Sequence, residues 1–515
     1  MNKIRLTLLN LLLPIAGFSQ ITISNGTLTF PKTEYNKVSD QLLNIVNDYA
    51  VAVNVTIRSH NKDFYVDDSI VEVKANSRSA VTVHFKPTHN INYNSEIVVV
   101  SSTKTGSIAV DVKGSGQYSS YYTSTFDLSE EDLKKELKSI VSSGYKNLGY
   151  NGARDAMYGS IDNKSGKVEC VYTGRQATFN TRSGANSNSF NCEHTWPQSL
   201  FNKNEPERAD IHHLFPTDVN SNSRRSNYPF GVVTSASWSE GGSKQGGGKF
   251  EPRDAHKGDC ARAMFYFAIR YQNYSSFLNS QESILRSWAT SHPPTQHSID
   301  RNNAIFTYQK NRNPFADYPE FMDRITSISA NSSAPTKHVV VPSVPAITIS
   351  SLITAAQFEY NLVLTNTGNQ RELFTGFGNG NANVTFPKTA FEIAPGESHT
   401  LKVSITPTAN AINDEIQITS SDVTLKIPVM ITGLSNIDQI SRSKMVVSLY
   451  PEVLRVSGVA GSKLTLYDAK GKIVYFNEIQ SDFTEIETSS FAGGLYFVEA
   501  IGGNLVPQVQ KVLIP

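Results

Sequence analysis

The chain has 515 residues, of which 39% are hydrophobic and 18% charged, and its formal net charge is +1. That length exceeds one ordinary core and predicts two to four domains of soluble globular composition. Near-neutrality excludes a global basic field for nucleic acid, so any phosphate recognition has to come from local patches.

At the start, "MNKIRLTLLNLLLPIAGFSQ" places Lys3 and Arg5 before an apolar run from Leu8 to Phe18, then Ser19-Gln20. This three-part layout predicts a secretory signal over residues 1–20, too short to span a bilayer. No later run is long and apolar enough to cross a membrane, so a secreted or cell-surface chain is expected. Three cysteines follow, Cys170, Cys192 and Cys260. An oxidising compartment permits one disulfide among them, of unassigned pairing, and leaves one thiol over.

Residues 21–117 are β-rich. "SRSAVTVHFKPTHNINYNSEIVVVSS" carries short alternating or β-branched runs, Val81–Phe85 and Ile97–Val100, broken by Pro, Asn and Ser. "GESHTLKVSITPTANAINDEIQITSS" repeats that grammar: a Pro-Thr pair (Pro87-Thr88, Pro407-Thr408), an Asn-containing turn, and a strand opened by Glu96 or Glu415. Two such copies predict two β-sandwich modules, 21–117 and 336–434, flanking something different. Their pattern resembles the immunoglobulin-like modules of large bacterial exported proteins.

The middle, 118–335, changes character. "LSEEDLKKELKSIVSSGY" predicts a helix with Ser129 and Asp132 as a capping box, one face of Leu133, Leu137, Ile140 and Val141, and a stop at Gly144. "GDCARAMFYFAIRYQNY" predicts a buried helix capped by Asp259. Between them lies a Gly-, Asn- and Ser-rich region of weak periodicity, where chemistry on loops would reside. Residues 435–515 form a last β unit, with a hairpin turning at Asp468–Gly471 and a strand in "FAGGLYFVEA".

From Cys192 onward the middle region concentrates the groups that phosphodiester hydrolysis needs. His194 can take a proton from water near neutral pH. Glu193 and nearby Asn side chains offer hard oxygen to a divalent cation. Arg208, Arg224 and Arg225 can grip phosphate oxygens, and Tyr228 and Asn227 could line a groove. On a plain strand Glu193 and His194 point to opposite faces, so the pair divides labour between cation and water rather than sharing one ligand set. Less specific readings exist for each. A Glu-His pair alone is most often surface decoration; Arg224 and Arg225 could be a solvated helix face; Trp196 is a candidate for burial rather than stacking. His212 and His213 lack zinc-ligand spacing and suit packing and hydrogen-bonding support, Asp210 suits a turn or a supporting bond, and Cys192 suits a half-cystine better than a nucleophile.

"EHTWP", "DIHHLFPTD", "RRSNYPFG", "DAMYGSIDNKSGKVECVYTG" and "EPRDAHKGDCARAMFYFAIRY" occur in order and together cover most of residues 118–310. This stretch resembles the endonuclease I family of secreted bacterial nucleases, of the ββα-metal (His-Me finger) group. The resemblance implies an α+β nuclease core with that motif, flanked by the β-sandwich modules in a multidomain chain. It implies His194 as general base and Glu193 as a ligand of Mg²⁺, with Ca²⁺ or Mn²⁺ as candidate replacements. The family's second ligand lies six residues after the Pro of "LFP" and five before the Asn of "RSN"; both counts select Asn222, whereas Asn220 needs a shifted register. An Arg in the loop between base and Asn stabilises phosphate in the family, and Arg208 is the Arg in that loop here, with Arg225 a separate candidate for phosphate contact or helix anchoring. DNA, and RNA as well, would be cut with little sequence preference to leave 5′-phosphates, by a monomer. A surface-binding protein with an inactive nuclease-like domain, or a zinc hydrolase of another ester, are the competing expectations. Finally, the "LYDAKGK" hairpin, the "GGLYFV" strand and the basic "KVLIP" end resemble a type IX secretion sorting domain, with Tyr450-Pro451-Glu452-Val453 where that family has Tyr-Pro-Asn-Pro. That resemblance implies the secretion machinery as a partner.

Overall fold

The structure, a computed structural model, describes residues 20–271, 276–349, 356–432, 445–450, 452–481, 483–502 and 505–514. The expected signal segment up to Ser19, and Pro451 of the Tyr-Pro pair, lie outside the described residues. Four hydrophobic cores organise the rest, and among the described residues no helix is long and apolar enough to cross a membrane.

The first core is all β. Its strands are β1 (Ile21–Ile23), β2 (Thr27–Glu34), β3 (Ser39–Asn47), β4 (Val53–Ser59), β5 (Phe64–Tyr65), β6 (Ile70–Val73), β7 (Ser77–Phe85), β8 (Asn92–Ser101) and β9 (Ser107–Gln117). They form two sheets, β1-β3-β7-β5 and β2-β9-β8-β4-β6. Alternation places Val81, Val83 and Phe85 of β7 inward, where Phe85 stacks on Phe64 at 4.7 Å. The unit around residues 340–431 repeats this plan. One sheet runs Val340–Pro342, Phe358–Asn366, Ser398–Ile405, Val384–Thr385, and the other Ile347–Ile349, Thr424–Ile431, Ile412–Thr419, Gly376–Gly378. In both units the second strand of the chain pairs in parallel with the last, β2 with β9 and Ile347–Ile349 with Thr424–Ile431. The sequence repeat therefore reflects a repeated strand order. Glu96 and Glu415 do not open their strands: β8 begins at Asn92 and its counterpart at Ile412, because backbone pairing continues through the Asn-rich stretch that composition assigns to the turn.

The central core mixes helices with short sheets. Its elements are α1 (Glu130–Ser142), α2 (Gly149–Ala156), β10 (Asn163–Lys164), β11 (Lys167–Glu169), β12 (Gln176–Thr178), α3 (Arg182–Ser187), β13 (Phe190–His194), β14 (Leu214–Asp218), α4 (Val219–Arg225), β15 (Trp238–Glu240), β16 (Ser243–Gly246), β17 (Lys249–Glu251), α5 (Asp254–Tyr271), α6 (Ser276–Asn279), α7 (Glu282–Ser291) and α8 (Gln296–Gln309). Leu133, Leu137 and Val141 of α1 are buried as expected, and Gly144 ends the segment at φ +67. The capping box is not formed: Ser129 makes no side-chain cap bond, and Asp132 pairs with Lys135 instead. Helix α5 starts five residues before Asp259, at Asp254. Asp259 is thus no cap; it binds Arg262 at 2.7 Å and accepts from Ser298 Oγ at 2.8 Å. Buried all round, α5 is the spine of this core, and Gly258 lets it approach the chain so closely that a Cβ there would sit 2.2 Å from the His292 carbonyl oxygen.

The last core joins a three-stranded sheet (Val446–Tyr450, Val453–Ser457, Phe483–Glu487) to a four-stranded one (Ile473–Ile479, Ser462–Asp468, Gly494–Gly502, Leu505–Ile514). The expected hairpin turn closes with Gly471 N–H donating to the Asp468 carbonyl at 2.9 Å. Adjacent units touch. Arg324 donates to Asn90 Oδ1, the Tyr35 hydroxyl donates to Glu320 at 2.7 Å, and Arg58 donates to the Ser343 carbonyl at 2.7 Å.

Candidate active site

Strands β13 and β14 pair antiparallel in unbroken register from Phe190↔Asp218 to His194↔Leu214. Asp218 then caps α4, its Oδ1 accepting from Ser221 N–H at 2.8 Å. Two strands and a helix thus follow one another, and α4 packs back on β13.

The alternation of β13 sorts its side chains as the sequence requires. Asn191 and Glu193 face α4, while Cys192 and His194 face α2 and the 201–213 loop. His194 is 6% exposed. Its ring lies 5.4 Å from Tyr150 and 5.5 Å from His213, and its Nε2 is 3.3 Å from the Arg208 carbonyl oxygen. A carbonyl only accepts, so Nε2 carries the proton. Burial above all, with the charges of Arg208 and Arg154 and the nearby His213, pushes the imidazole pKa well below its ordinary value. The ring is therefore neutral, and its Nδ1 holds a free lone pair.

Glu193 is 2% exposed. Its Oε1 accepts from the Tyr172 hydroxyl at 2.7 Å and lies 3.0 Å from Arg225 Nε. The Arg225 contact is an ion pair without a well-aligned N–H, since Nε forms no hydrogen bond. Burial lifts the carboxyl to about 7, against the pull of Arg225 and Tyr172. Among the described residues no hydrogen bond reaches its other oxygen, Oε2.

Asn222 reaches the same face. Its Nδ2 donates to Asn191 Oδ1 at 2.8 Å and approaches the Cys192 carbonyl at 3.4 Å. With the nitrogen pinned, the amide oxygen is left free for a hard ligand. A divalent cation between Glu193 and Asn222 fits this donor set of one carboxylate oxygen and one amide oxygen, the rest of its shell being water. Asn220 is exposed and turned away, its Nδ2 3.5 Å from Glu240.

The arginines divide. Arg225 is fully buried; it donates to the Thr195 and Ser226 carbonyls at 2.7 and 2.8 Å and lies over Phe230. It anchors α4 beside Glu193 and is no solvated face. Arg224 is exposed. Arg208 is half-buried with its guanidinium 4.2 Å from the Tyr150 ring centre, and Arg154 lies at the same distance from that ring. Both carry a buried Nε without a partner. Arg154, Tyr150, Asn191 and Tyr172 escaped the sequence reading, because nothing in their own neighbourhoods marks contact with residues 21 to 58 positions away. Tyr228 is exposed at the end of α4.

The supporting residues fall close to expectation. Trp196 is buried and stacks on Phe267 at 5.0 Å. His212 and His213 are buried, with Nε2 atoms against the carbonyls of Asn311 and Glu207. Asp210 is wholly buried and accepts from Arg270, Tyr266 and Tyr271 at 2.7, 2.8 and 2.9 Å. The cysteines differ from expectation. Cys170, Cys192 and Cys260 are all free and buried, in the same central core. Cys170 sits against Thr217 and Ser221, and burial pushes the Cys192 thiol up to about 12. No disulfide forms, and Cys192 is not a half-cystine.

Comparison with known proteins sets this geometry in a lineage. The profile of the Endonuclease I family matches residues 129–320. An extracellular ribonuclease of Bacillus subtilis (strain 168) is 32% identical over 225 residues, which cover 40% of this chain and 77% of that protein. The chain belongs to the endonuclease I family. It is a nuclease. A Bacillus amyloliquefaciens extracellular ribonuclease matches to the same extent, and a secretion system C-terminal sorting domain matches residues 449–515. This member of the family is thus a secreted or cell-surface enzyme. A PapD-like domain of human CEP192 aligns at 14% identity over 22% of the chain and 99% of the domain, with a TM-score of 0.18, too low to bear on the fold. A separate group of possible ligands, His338, Glu372 and Asp422, brings its donor atoms within 4.8 Å of one another outside the nuclease region; it is a hydrogen-bonded cluster, with His338 Nδ1 2.5 Å from Glu372 Oε1.

Proposed function

We propose that the enzyme hydrolyses phosphodiester bonds in DNA, and in RNA as well, with a divalent cation and little sequence preference. The observation that carries this reading is the division of β13. A neutral imidazole is locked through Nε2 on one face, and a buried carboxylate with a free oxygen stands beside the pinned Asn222 amide on the other.

His194 Nδ1 accepts a proton from water, whose oxygen bonds to phosphorus as the bond from phosphorus to the 3′ oxygen breaks, the departing 3′ oxygen taking a proton from solvent. The products are a 5′-phosphate and a 3′-hydroxyl. The Arg208 carbonyl keeps the imidazole in the right tautomer throughout. Glu193 and Asn222 would hold Mg²⁺, which, when bound, supplies positive charge to the phosphate and to the departing oxygen. Arg208, with Arg154 beside it, is placed to meet phosphate oxygens. Arg225, being buried, serves as a positioning residue that holds Glu193 and α4. Contacts to phosphates position without specifying sequence, which accounts for low selectivity.

We read the flanking units, 21–117 and 336–434, as immunoglobulin-like modules, with the nuclease at 118–335, the sorting domain at 435–515, and the chain as a monomer. The repeated strand order supports the first of these. Plasmid nicking with Mg²⁺ tests the mechanism: His194→Ala and Asn222→Ala should abolish nicking, and Asn220→Ala should retain it. A wild type that never nicks would refute the reading, and an inactive Asn220→Ala beside an active Asn222→Ala would overturn the choice of ligand.

A further inference from the structure

Across β14 from the catalytic strand lies a cavity of about 250 Å³ between β11, the start of α5 and α8. Neither Glu193, His194 nor Asn222 lines it. We propose that this cavity is a second ligand site, taking a nucleoside monophosphate with its phosphate at Lys164 and Lys167 and its ring against Phe215 and His256.

Charge favours an anion. Three carboxylates line the cavity, and each is already held by an arginine: Asp162 by Arg301 at 2.7 Å, Asp259 by Arg262 at 2.7 Å, and Glu169 by Arg253. Lys164 and Lys167 at the rim are exposed and pair with no carboxylate among the described residues. They are cations at a concave mouth, where the Lys164 charge also reaches Glu169; the same cavity is lined by Ala255 and His256 of the first turn of the 18-residue helix α5, whose backbone N–H groups favour negative charge.

The interior favours more than a bare anion. Its walls include Phe215, Pro216, Val171 and Ala255, while the Gln176 amide offers both a donor and an acceptor. His256 is 3% exposed, and its Nε2 has no hydrogen-bond partner among the described residues. A buried polar nitrogen left unpaired is costly, and a ligand atom in the cavity would satisfy it. Burial holds this imidazole neutral, with its pKa pushed down to about 3, so it presents one donor and one acceptor rather than a charge. The volume is near the lower end of the range for small-molecule pockets, roughly 300 Å³ and upward, which suits one nucleotide and excludes a duplex.

The cavity communicates with the catalytic hairpin through one residue. The His256 ring lies 5.7 Å from that of Tyr172, whose hydroxyl donates to Glu193. A 5′-phosphorylated nucleotide end is also what the cut proposed above leaves, and this choice of ligand source rests on that function; the cavity chemistry does not.

Isothermal titration of the full chain in EDTA tests the proposal with AMP, adenosine and inorganic phosphate as separate probes. AMP should bind at one site, at least tenfold more tightly than adenosine or phosphate. The Lys164→Ala/Lys167→Ala variant, changed only at exposed positions, should weaken AMP at least tenfold, and His194→Ala should leave it unchanged. Absence of AMP binding, equal affinity for adenosine, phosphate binding as tight as AMP, or loss of binding in His194→Ala would each overturn it. Plasmid nicking by the wild type reports separately on the nuclease mechanism, so failure of the pocket and failure of that mechanism are told apart.

Discussion

Asn191 Oδ1 accepts a hydrogen bond from Asn222 Nδ2 at 2.8 Å, and this bond decides which end of the Asn222 amide faces the proposed cation site. An unpinned amide could rotate and present nitrogen, which cannot ligate a hard cation. Asn191→Ala should therefore weaken the apparent Mg²⁺ affinity in nicking by about 10- to 100-fold, the usual cost of losing a residue that orients a metal ligand. Saturating Mg²⁺ should restore much of the rate. A Mg²⁺ titration identical to that of the wild type would contradict this.

The Glu193–Arg225 pair is buried on both sides, so breaking it strands a charge. Arg225→Met should cost about 3 kcal/mol and lower the thermal midpoint of the nuclease unit by several degrees in EDTA. Adding Glu193→Gln to that variant should recover part of the loss, because the carboxylate that lacked a partner is then gone. Calorimetry of the two variants reads the difference directly.

Asp210 governs acid stability. Burial alone would raise its carboxyl, but Arg270 and the adjacent His212 and His213 hold it down at about 2, below the ordinary value of about 3.9. The folded-state value is depressed, so the associated stability is complete above about pH 4 and is lost as pH falls toward 2. Its size is on the order of 2 kcal/mol by linkage. The gap in thermal midpoint between the wild type and Asp210→Asn should narrow steadily from pH 5 to pH 2; a constant gap would show that the carboxylate charge is not responsible.

Thiol chemistry checks the cysteines. All three are buried and free, and burial also raises Cys260 well above the ordinary thiol range. Iodoacetamide should add nothing to the native protein and three carbamidomethyl groups after unfolding without reductant, as read by intact mass. One group after unfolding would mean that a disulfide exists.

What could be read before the fold was known follows the range of the interactions involved. The α1 face and the alternation of β13 are local patterns, and each survives in three dimensions. The misplaced features are competitions between local and distant partners. Ser129 and Asp132 have the right types for a capping box, yet Asp132 is drawn to Lys135. Asp259 has the right type for a cap, yet α5 extends back to Asp254 and Asp259 serves Arg262 and Ser298. Residues such as Tyr172 and Arg154 carry no signal in their neighbourhoods, since what gives them meaning is a carboxylate or an imidazole tens of residues away.

The first β unit touches both of its successors. Gly106 bridges Asn361 in parallel, Glu96 accepts from Thr365 within a buried contact, and Arg324 donates to Asn90. A chain emerging from its N-terminus could complete the two sheets of that unit long before residues 358–366 exist. Glu96 would then stay wet until they arrive, and only the later strand would dry it, with its carboxyl pushed up by burial. A truncation after the nuclease would therefore leave that surface open on the very module that braces the catalytic unit.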